Sequence, residues 1–351
     1  MERNHLPVGD NAALLVAERS HQNDDEVDQR ADPQETAREQ PDDARTDFAG
    51  IEAVNPQETK KEAQQGRCQT GLGADVVSHD NRGVRGLGIS SRYSRVVSRH
   101  PFFDNVDTLA MAHRGGAGET AENTRTGFEY AVSLGYIYLE SDIQVTRDGV
   151  AVLFHDPKLD RTTRATGSIS DYTWEQLRRV STDAGVDQIM RVDEALSSFP
   201  AQKFNLDLKC EAAVSAFVGI MDSTHAYDRV LASSFSDDRL RRVRKRLGPR
   251  LVTSAGPREV GKFLAGSWGL RHRTTGPMAL QIPSSIKGVP VVTEALVNHA
   301  HDRGLQVHVW TIDDPAEMTR LLELGVDGLM TDRPSVLKSL LIDRGAWSGI
   351  H

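Results

Sequence analysis

His113-Arg114-Gly115-Gly116, then Tyr136-Ile137-Tyr138-Leu139-Glu140-Ser141-Asp142, then Val150-Ala151-Val152-Leu153-Phe154-His155-Asp156 form the stretch on which the fold turns. The first block closes a short apolar run, Leu109-Ala110-Met111-Ala112. The second alternates, and strand side chains repeat every second residue, so Glu140 and Asp142 share one face. The third is a β-branched apolar run that delivers His155-Asp156. Three strand-like runs therefore end in ionisable residues, the pattern of a βα barrel that gathers its chemistry at the C-terminal ends of its strands.

Beyond Asp156 the chain keeps alternating short apolar runs with helical periodicity, as a parallel sheet closed by helices requires. Further strand candidates are 203–208, 229–233, 250–253, 278–282, 306–310 and 328–331. With the first three these make nine candidates for eight barrel positions. The run from Met278 to Ile282 has the weakest claim, because it is short and Pro283 follows directly. Helices are expected over 125–134, 173–179, 192–198, 211–221, 237–247, 257–265, 292–303 and 315–324. Asp314-Pro315 reads as an N-cap followed by a first-turn proline, and Gly304 and Gly325 stand where helices end. The expected fold is therefore α/β, a (βα)8 TIM barrel over residues 96–345, preceded by a largely disordered N-terminal segment, 1–95.

Charge is unevenly spread along the 351 residues. Residues 1–70 hold 16 Asp and Glu against 8 Lys and Arg, which accounts for the whole net charge of −8. The aromatics of residues 1–95 are Phe48 and Tyr93, so this segment has little apolar surface to offset its chain entropy. The remainder is charge-balanced and lacks the clustered cations that nucleic-acid binding needs, so no nucleic-acid partner is expected. The Arg239–Arg246 run reads as the solvated face of a helix. Of the two cysteines, Cys68 lies in the weakly structured segment, which argues against a disulfide with Cys210. No apolar run approaches the ~20 residues that span a bilayer, and no cleavage site follows the Ala12–Ala17 patch. A cytoplasmic location without stable membrane insertion is the resulting expectation.

The ionisable groups at the strand ends are His113-Arg114, Glu140 with Asp142, His155, Asp207 with Lys209, and Thr331-Asp332, with Trp310 among them. Three carboxylates would repel one another unless they share a cation. All-oxygen ligation suits a hard divalent ion, Mg2+ or Ca2+. Arg114 and Lys209 supply positive charge for a phosphate, and an arginine can grip two oxygens at once. His113 and His155 can trade a proton near neutral pH. These are the parts for cleaving a phosphodiester.

Here the sequence resembles the glycerophosphodiester phosphodiesterase family, whose catalytic domain is a (βα)8 barrel of the phosphoinositide phospholipase C type. His113-Arg114-Gly115-Gly116 with Glu122-Asn123-Thr124 is similar to that family's opening motif. Glu140-Ser141-Asp142 followed by Thr146, Asp148 and Gly149 matches its second block, and His155-Asp156 with Asp160-Arg161-Thr162-Thr163 and Gly167 its third. Val192–Leu196 looks like its next short helix, and Ser234-Phe235, His308-Val309-Trp310-Thr311 and Gly325-Val326-Asp327-Gly328 through Pro334 complete the order. The resemblance covers 109 to about 340.

That resemblance implies an acid/base pair, His113 and His155; metal ligands Glu140, Asp142 and Asp207; and phosphate-holding Arg114 and Lys209, with Glu122 and Trp310 lining the site. It implies a small glycerophosphodiester as substrate and glycerol 3-phosphate as product, with the two histidines acting in either order. This chain departs from the family at Asp207, where Glu is usual, and at Ala121, where Pro is common. Two other functions compete: a phospholipase D-like or lysophospholipase D-like activity on lipids, and a barrel that binds phosphodiesters without turnover. The absence of a long apolar lid weighs against the first, and the two histidines against the second.

Overall fold

Strands buried on both faces need apolar residues at nearly every position, and the short apolar runs of this chain meet that demand. The computed structural model describes residues 100–104, 108–182, 185 and 187–349. Expectations for residues 1–95, including Cys68, and for an ordered start at Val96 lie outside the described residues. Among those described, the strands are β1 (Leu109–Ala112), β2 (Tyr138–Val145), β3 (Ala151–Leu153), β4 (Lys203–Leu208), β5 (Val230–Ser233), β6 (Val252–Thr253), β7 (Ala279–Pro283), β8 (Ser285–Ile286), β9 (Val289–Pro290), β10 (Gln306–Trp310) and β11 (Gly328–Thr331). The helices are α1 (Arg125–Ser133), α2 (Trp174–Leu177), α3 (Val192–Ser198), α4 (Glu211–Thr224), α5 (Asp237–Leu247), α6 (Pro257–Ser267), α7 (Glu294–His301), α8 (Pro315–Glu323) and α9 (Pro334–Asp343).

Eight strands pair in the order β6-β5-β4-β2-β1-β11-β10-β7, every neighbour parallel. A parallel bridge from Ser254 to Ala279 joins the two ends and closes the ring. The expected TIM barrel is therefore present. The run with the weakest claim is a true barrel strand: β7 pairs with β10 over five residues, from Ala279 opposite Gln306 to Pro283 opposite Trp310. Pro283 is its last residue, where a missing N–H ends the ladder instead of interrupting it. The surplus candidate is Val150–Phe154. β3 pairs antiparallel with the far end of β2, so it is the return arm of a hairpin and not a barrel strand. Thr146 and Gly149 make that turn, Gly149 at φ 85°.

Helix boundaries follow local chemistry. Thr124, Ser236, Thr293 and Asp314 each accept a first-turn N–H at the start of α1, α5, α7 and α8. Gly304 and Gly325 end their helices at φ 73° and 85°, a left-handed geometry that only glycine takes without strain. The basic run on α5 turns Leu240, Val243 and Leu247 inward. Its cations pair with carboxylates, Arg242 with Glu211 and the half-buried Arg244 with Glu259. Helix α9 was not among the expected helices. It opens on Pro334 and buries Leu337 and Leu341.

Phe102 and Phe103 close the floor of the barrel, packed with Leu109, Met111, Tyr138, Leu231, Val252 and Met330. The Tyr138 hydroxyl and the Lys203 ammonium both donate to the carbonyl of Phe102, at 2.7 and 2.9 Å. The sequence's Pro101-Phe102-Phe103 is thus a plug at the strand N-termini. The strand-end groups His113, Arg114, Glu140, Asp142, His155, Asp207, Lys209 and Asp332 lie toward the other end of the strands.

Candidate active site

Immediately after β1 the chain makes a tight turn, in which Gly116 N–H donates to the carbonyl of His113 at 2.8 Å. Arg114 takes φ 50° there, a strained left-handed conformation for a residue with a side chain. A Cβ on Gly115 would stand 2.9 Å from the Gly127 backbone, so the glycine allows α1 to approach the turn. The Arg114 N–H donates to Glu140 Oε2 at 3.1 Å, which fixes the turn over β2.

Glu140, Asp142 and Asp207 are all buried. Asp142 on β2 lies directly beside Asp207 on β4 in the strand register. Lys209 Nζ donates to Asp142 Oδ1 at 2.9 Å and to Asp207 Oδ2 at 2.8 Å. Burial pushes the Lys209 ammonium down, but these two carboxylates outweigh it and hold its pKa well above the ordinary value. Burial likewise raises Asp142, and Lys209 and Arg114 outweigh it, so its carboxyl stays well below the usual range. Glu140 is pushed up to about 7, by burial first and then by the charge of Asp142. Asn123, in a left-handed conformation of its own, donates to Asp142 Oδ2 at 3.2 Å and accepts from the Ser141 hydroxyl.

In donor type and charge, this set fits a hard divalent cation. Asp207 Oδ1 is buried without a hydrogen-bond partner, an oxygen that such an ion would satisfy. The Lys209 ammonium occupies the position between Asp142 and Asp207, and among the described residues no three acidic, His or Cys side chains are drawn together into a metal-holding group.

Each candidate histidine has a carboxylate on Nδ1. His113 Nδ1 lies 2.7 Å from Asp332 Oδ1, and His155 Nδ1 lies 2.6 Å from Asp156 Oδ1. Burial works against a charged His113, but Glu140 and Asp332 outweigh it and raise its pKa above the ordinary value. His155 arrives from the antiparallel arm β3: Phe154 N–H donates to the carbonyl of Asp142 at 3.0 Å, and the Gln144 amide donates to the carbonyl of His155 at 3.1 Å. Glu122 lies beside Arg114, 3.4 Å from Nη1, and Trp310 meets Phe235 edge-on at 5.5 Å. The Lys209 ammonium stands 5.7 Å from the centre of the Phe235 ring.

The structure thus joins Glu140, Asp142, Asp207, Lys209, Arg114, His113 and Glu122 by direct contacts, ties His155 to the end of β2 and sets Trp310 against Phe235, Lys209's neighbour. Sequence reasoning assigns no role to Asp332, Asp156, Arg161, Asn123 or Phe235. Asp156 and Arg161 stand in recognisable motifs, and Asp332 among the strand-end groups, but side-chain pairing across the barrel leaves no periodic trace. Arg161 forms two bidentate pairs, with Glu122 and with Asp156.

A family model described as the glycerophosphoryl diester phosphodiesterase family matches residues 113–336. A Mycobacterium tuberculosis protein named probable glycerophosphodiester phosphodiesterase 2 is 38% identical over 260 residues, 71% of this chain and 96% of that one. A Rattus norvegicus protein named lysophospholipase D GDPD1 is 27% identical over 288 residues, 72% of this chain and 88% of its own. Among solved structures, a putative glycerophosphoryl diester phosphodiesterase from Silicibacter pomeroyi superposes with a TM-score of 0.58 at 23% identity, covering 70% of this chain and 98% of that chain. An Oleispira antarctica phosphodiesterase in complex with its product sn-glycerol-3-phosphate gives a TM-score of 0.56 at 25% identity, with 67% and 96% covered. With its barrel, its strand-end residues and the match across 113–336, this chain belongs to the glycerophosphoryl diester phosphodiesterase family.

Proposed function

We propose that this chain is a phosphoric diester hydrolase that cleaves glycerophosphodiesters to glycerol 3-phosphate and an alcohol. The observation that carries the reading is the pair of carboxylate-backed histidines, His113 on Asp332 and His155 on Asp156, together with the cations Arg114 and Lys209, which meet at Asp142. A carboxylate on Nδ1 sets the tautomer and aims Nε2, the arrangement that general acid/base histidines use.

Arg114 and Lys209 hold the phosphate. Arg114 Nε is buried, 3.4 Å from Asp142 Oδ2 and without a hydrogen bond, a donor that a phosphate oxygen would satisfy. One of the two histidines, His113 or His155, removes the proton of the attacking oxygen as that oxygen bonds to phosphorus, and the other gives its Nε2 proton to the alcohol whose bond to phosphorus breaks. Glu140, Asp142 and Asp207 would hold one divalent cation, Mg2+ or Ca2+, which when bound neutralises phosphate charge. Glu122 and Trp310 line the site.

The relative named lysophospholipase D, together with the half-exposed Phe235 beside Trp310, favours lysophospholipids as a second substrate class. Among the described residues no helix is long and apolar enough to cross a membrane. The deciding experiment gives chelator-treated protein glycerophosphocholine or lysophosphatidylcholine, with Mg2+ or Ca2+ returned, and measures glycerol 3-phosphate, lysophosphatidate and choline. Release of glycerol 3-phosphate that depends on an added ion supports the reading. No product from either substrate with either ion overturns it.

A further inference from the structure

We infer that Arg161 is a positioning residue that holds Glu122 off Arg114 and locks Asp156 against His155. The inference rests on the roles proposed above for Arg114 and His155. The Arg161 side chain is about half exposed, yet all three of its guanidinium nitrogens are engaged. Its Nε and Nη2 donate to Asp156 at 2.6 and 3.1 Å, and its Nη1 and Nη2 donate to Glu122 at 2.8 and 2.7 Å. Asp156 is thereby fixed through both oxygens while Oδ1 also takes the His155 ring nitrogen at 2.6 Å.

Glu122 is the shared element. It meets Arg161 at short distances but stands 3.4 Å from Arg114 through both oxygens. A carboxylate and a guanidinium left to themselves close into a short bidentate pair. Arg161 prevents this by drawing Glu122 outward, so Arg114 keeps donor capacity for a phosphate. Ion pairs as exposed as those of Arg161 contribute little to stability, so a purely structural role would show as a small change in melting temperature and nothing else.

The test compares Arg161→Gln, Arg161→Lys and Arg161→Gln combined with Glu122→Gln in the full chain, using glycerophosphocholine and reading kcat, KM and melting temperature. Arg161→Gln is expected to raise KM about tenfold, the worth of one charge-assisted hydrogen bond from Arg114 to the phosphate, and to lower kcat by about a further tenfold as His155 loosens. Adding Glu122→Gln should return KM toward wild type while kcat stays low, because the carboxylate that closed on Arg114 is gone but Asp156 is still unheld. Arg161→Lys should fall between, since an ammonium cannot fork onto both carboxylates. KM and kcat within about twofold of wild type in Arg161→Gln, or no recovery of KM in the double variant, would overturn the inference. If Arg161→Gln does not fold, the same recovery is read from Arg161→Lys with and without Glu122→Gln. A wild-type chain without activity would instead remove the proposed function itself.

Discussion

His113 Nδ1 and Asp332 Oδ1 meet at 2.7 Å, although 219 residues separate them in the chain. The end of β11 thus orients a histidine that follows β1, its neighbour in the barrel. Asp332→Asn keeps the shape but removes the anionic acceptor. It should lower kcat by about 10²-fold while KM changes little, since proton transfer by a placed side chain contributes ~10²–10⁴-fold. His113→Ala and His155→Ala should each fall by the full range with the melting temperature preserved. Steady-state kinetics beside thermal melts check all three, and a correctly folded histidine variant with near-wild-type kcat would remove that residue from the acid/base pair.

Asp207 presents one oxygen to Lys209 at 2.8 Å and leaves the other buried without a partner. If that second oxygen ligates a cation, Asp207→Asn should weaken metal affinity and rate together, and excess metal should partly restore the rate. Asp207→Glu, one methylene longer, should remain active. Titrating activity against Mg2+ and Ca2+ gives the answer: an unchanged metal dependence in Asp207→Asn excludes Asp207 from the ligand set.

His308 is fully buried inside the barrel and suited to the neutral ring, its Nε2 2.9 Å from Gln306 Oε1 and its Nδ1 3.4 Å from the Gln281 amide. Burial pushes its pKa down to about 4, against an ordinary value of 6.5. The unfolded chain therefore takes up a proton at this site at a higher pH than the folded one. Its contribution to stability is complete above pH 6.5 and is lost as pH falls through about 4, an effect of about 3 kcal/mol in full. His308→Gln should flatten the dependence of melting temperature on pH between 4 and 6.5, whatever it does to stability at pH 7. An unaltered acid slope would show that another group is responsible.

The floor plug sets a boundary for shortening the chain. Phe102 is wholly buried and meets Phe103 and Tyr138 edge-on, each at 5.3 Å. Phe102→Ala should cost ~3–5 kcal/mol, the usual range for emptying such a site. A chain that begins at Val96 should keep its melting temperature and its activity on a soluble substrate. One that begins at Thr108 loses the plug and should melt well below it. Equal melting temperatures for the two shortened chains would show that the plug contributes nothing.

Local order determined much of this protein. Alternation in 136–142 puts Glu140 and Asp142 on one face because strand geometry is a property of consecutive residues. Asp314-Pro315, Gly304 and Gly325 mark helix ends because caps and left-handed turns are satisfied within a few positions. The barrel was legible from the succession of such elements, and the strand-end histidines, carboxylates and cations from their places at the ends of apolar runs.

Tertiary structure decided the rest. Val150–Phe154 and Met278–Ile282 are similar as short apolar runs, and pairing alone makes the first a hairpin arm and the second a barrel strand, since hydrogen bonds to a neighbour are not written in a strand's own composition. The same holds for the carboxylates that orient the site. Asp332 and Arg161 are ordinary charged residues in sequence, and only closure of the ring brings Asp332 to His113 and the folded β3 loop brings Arg161 to Glu122. Their roles depend on distances of about 3 Å between distant residues, the range over which a hydrogen bond acts and over which one-dimensional spacing carries no information.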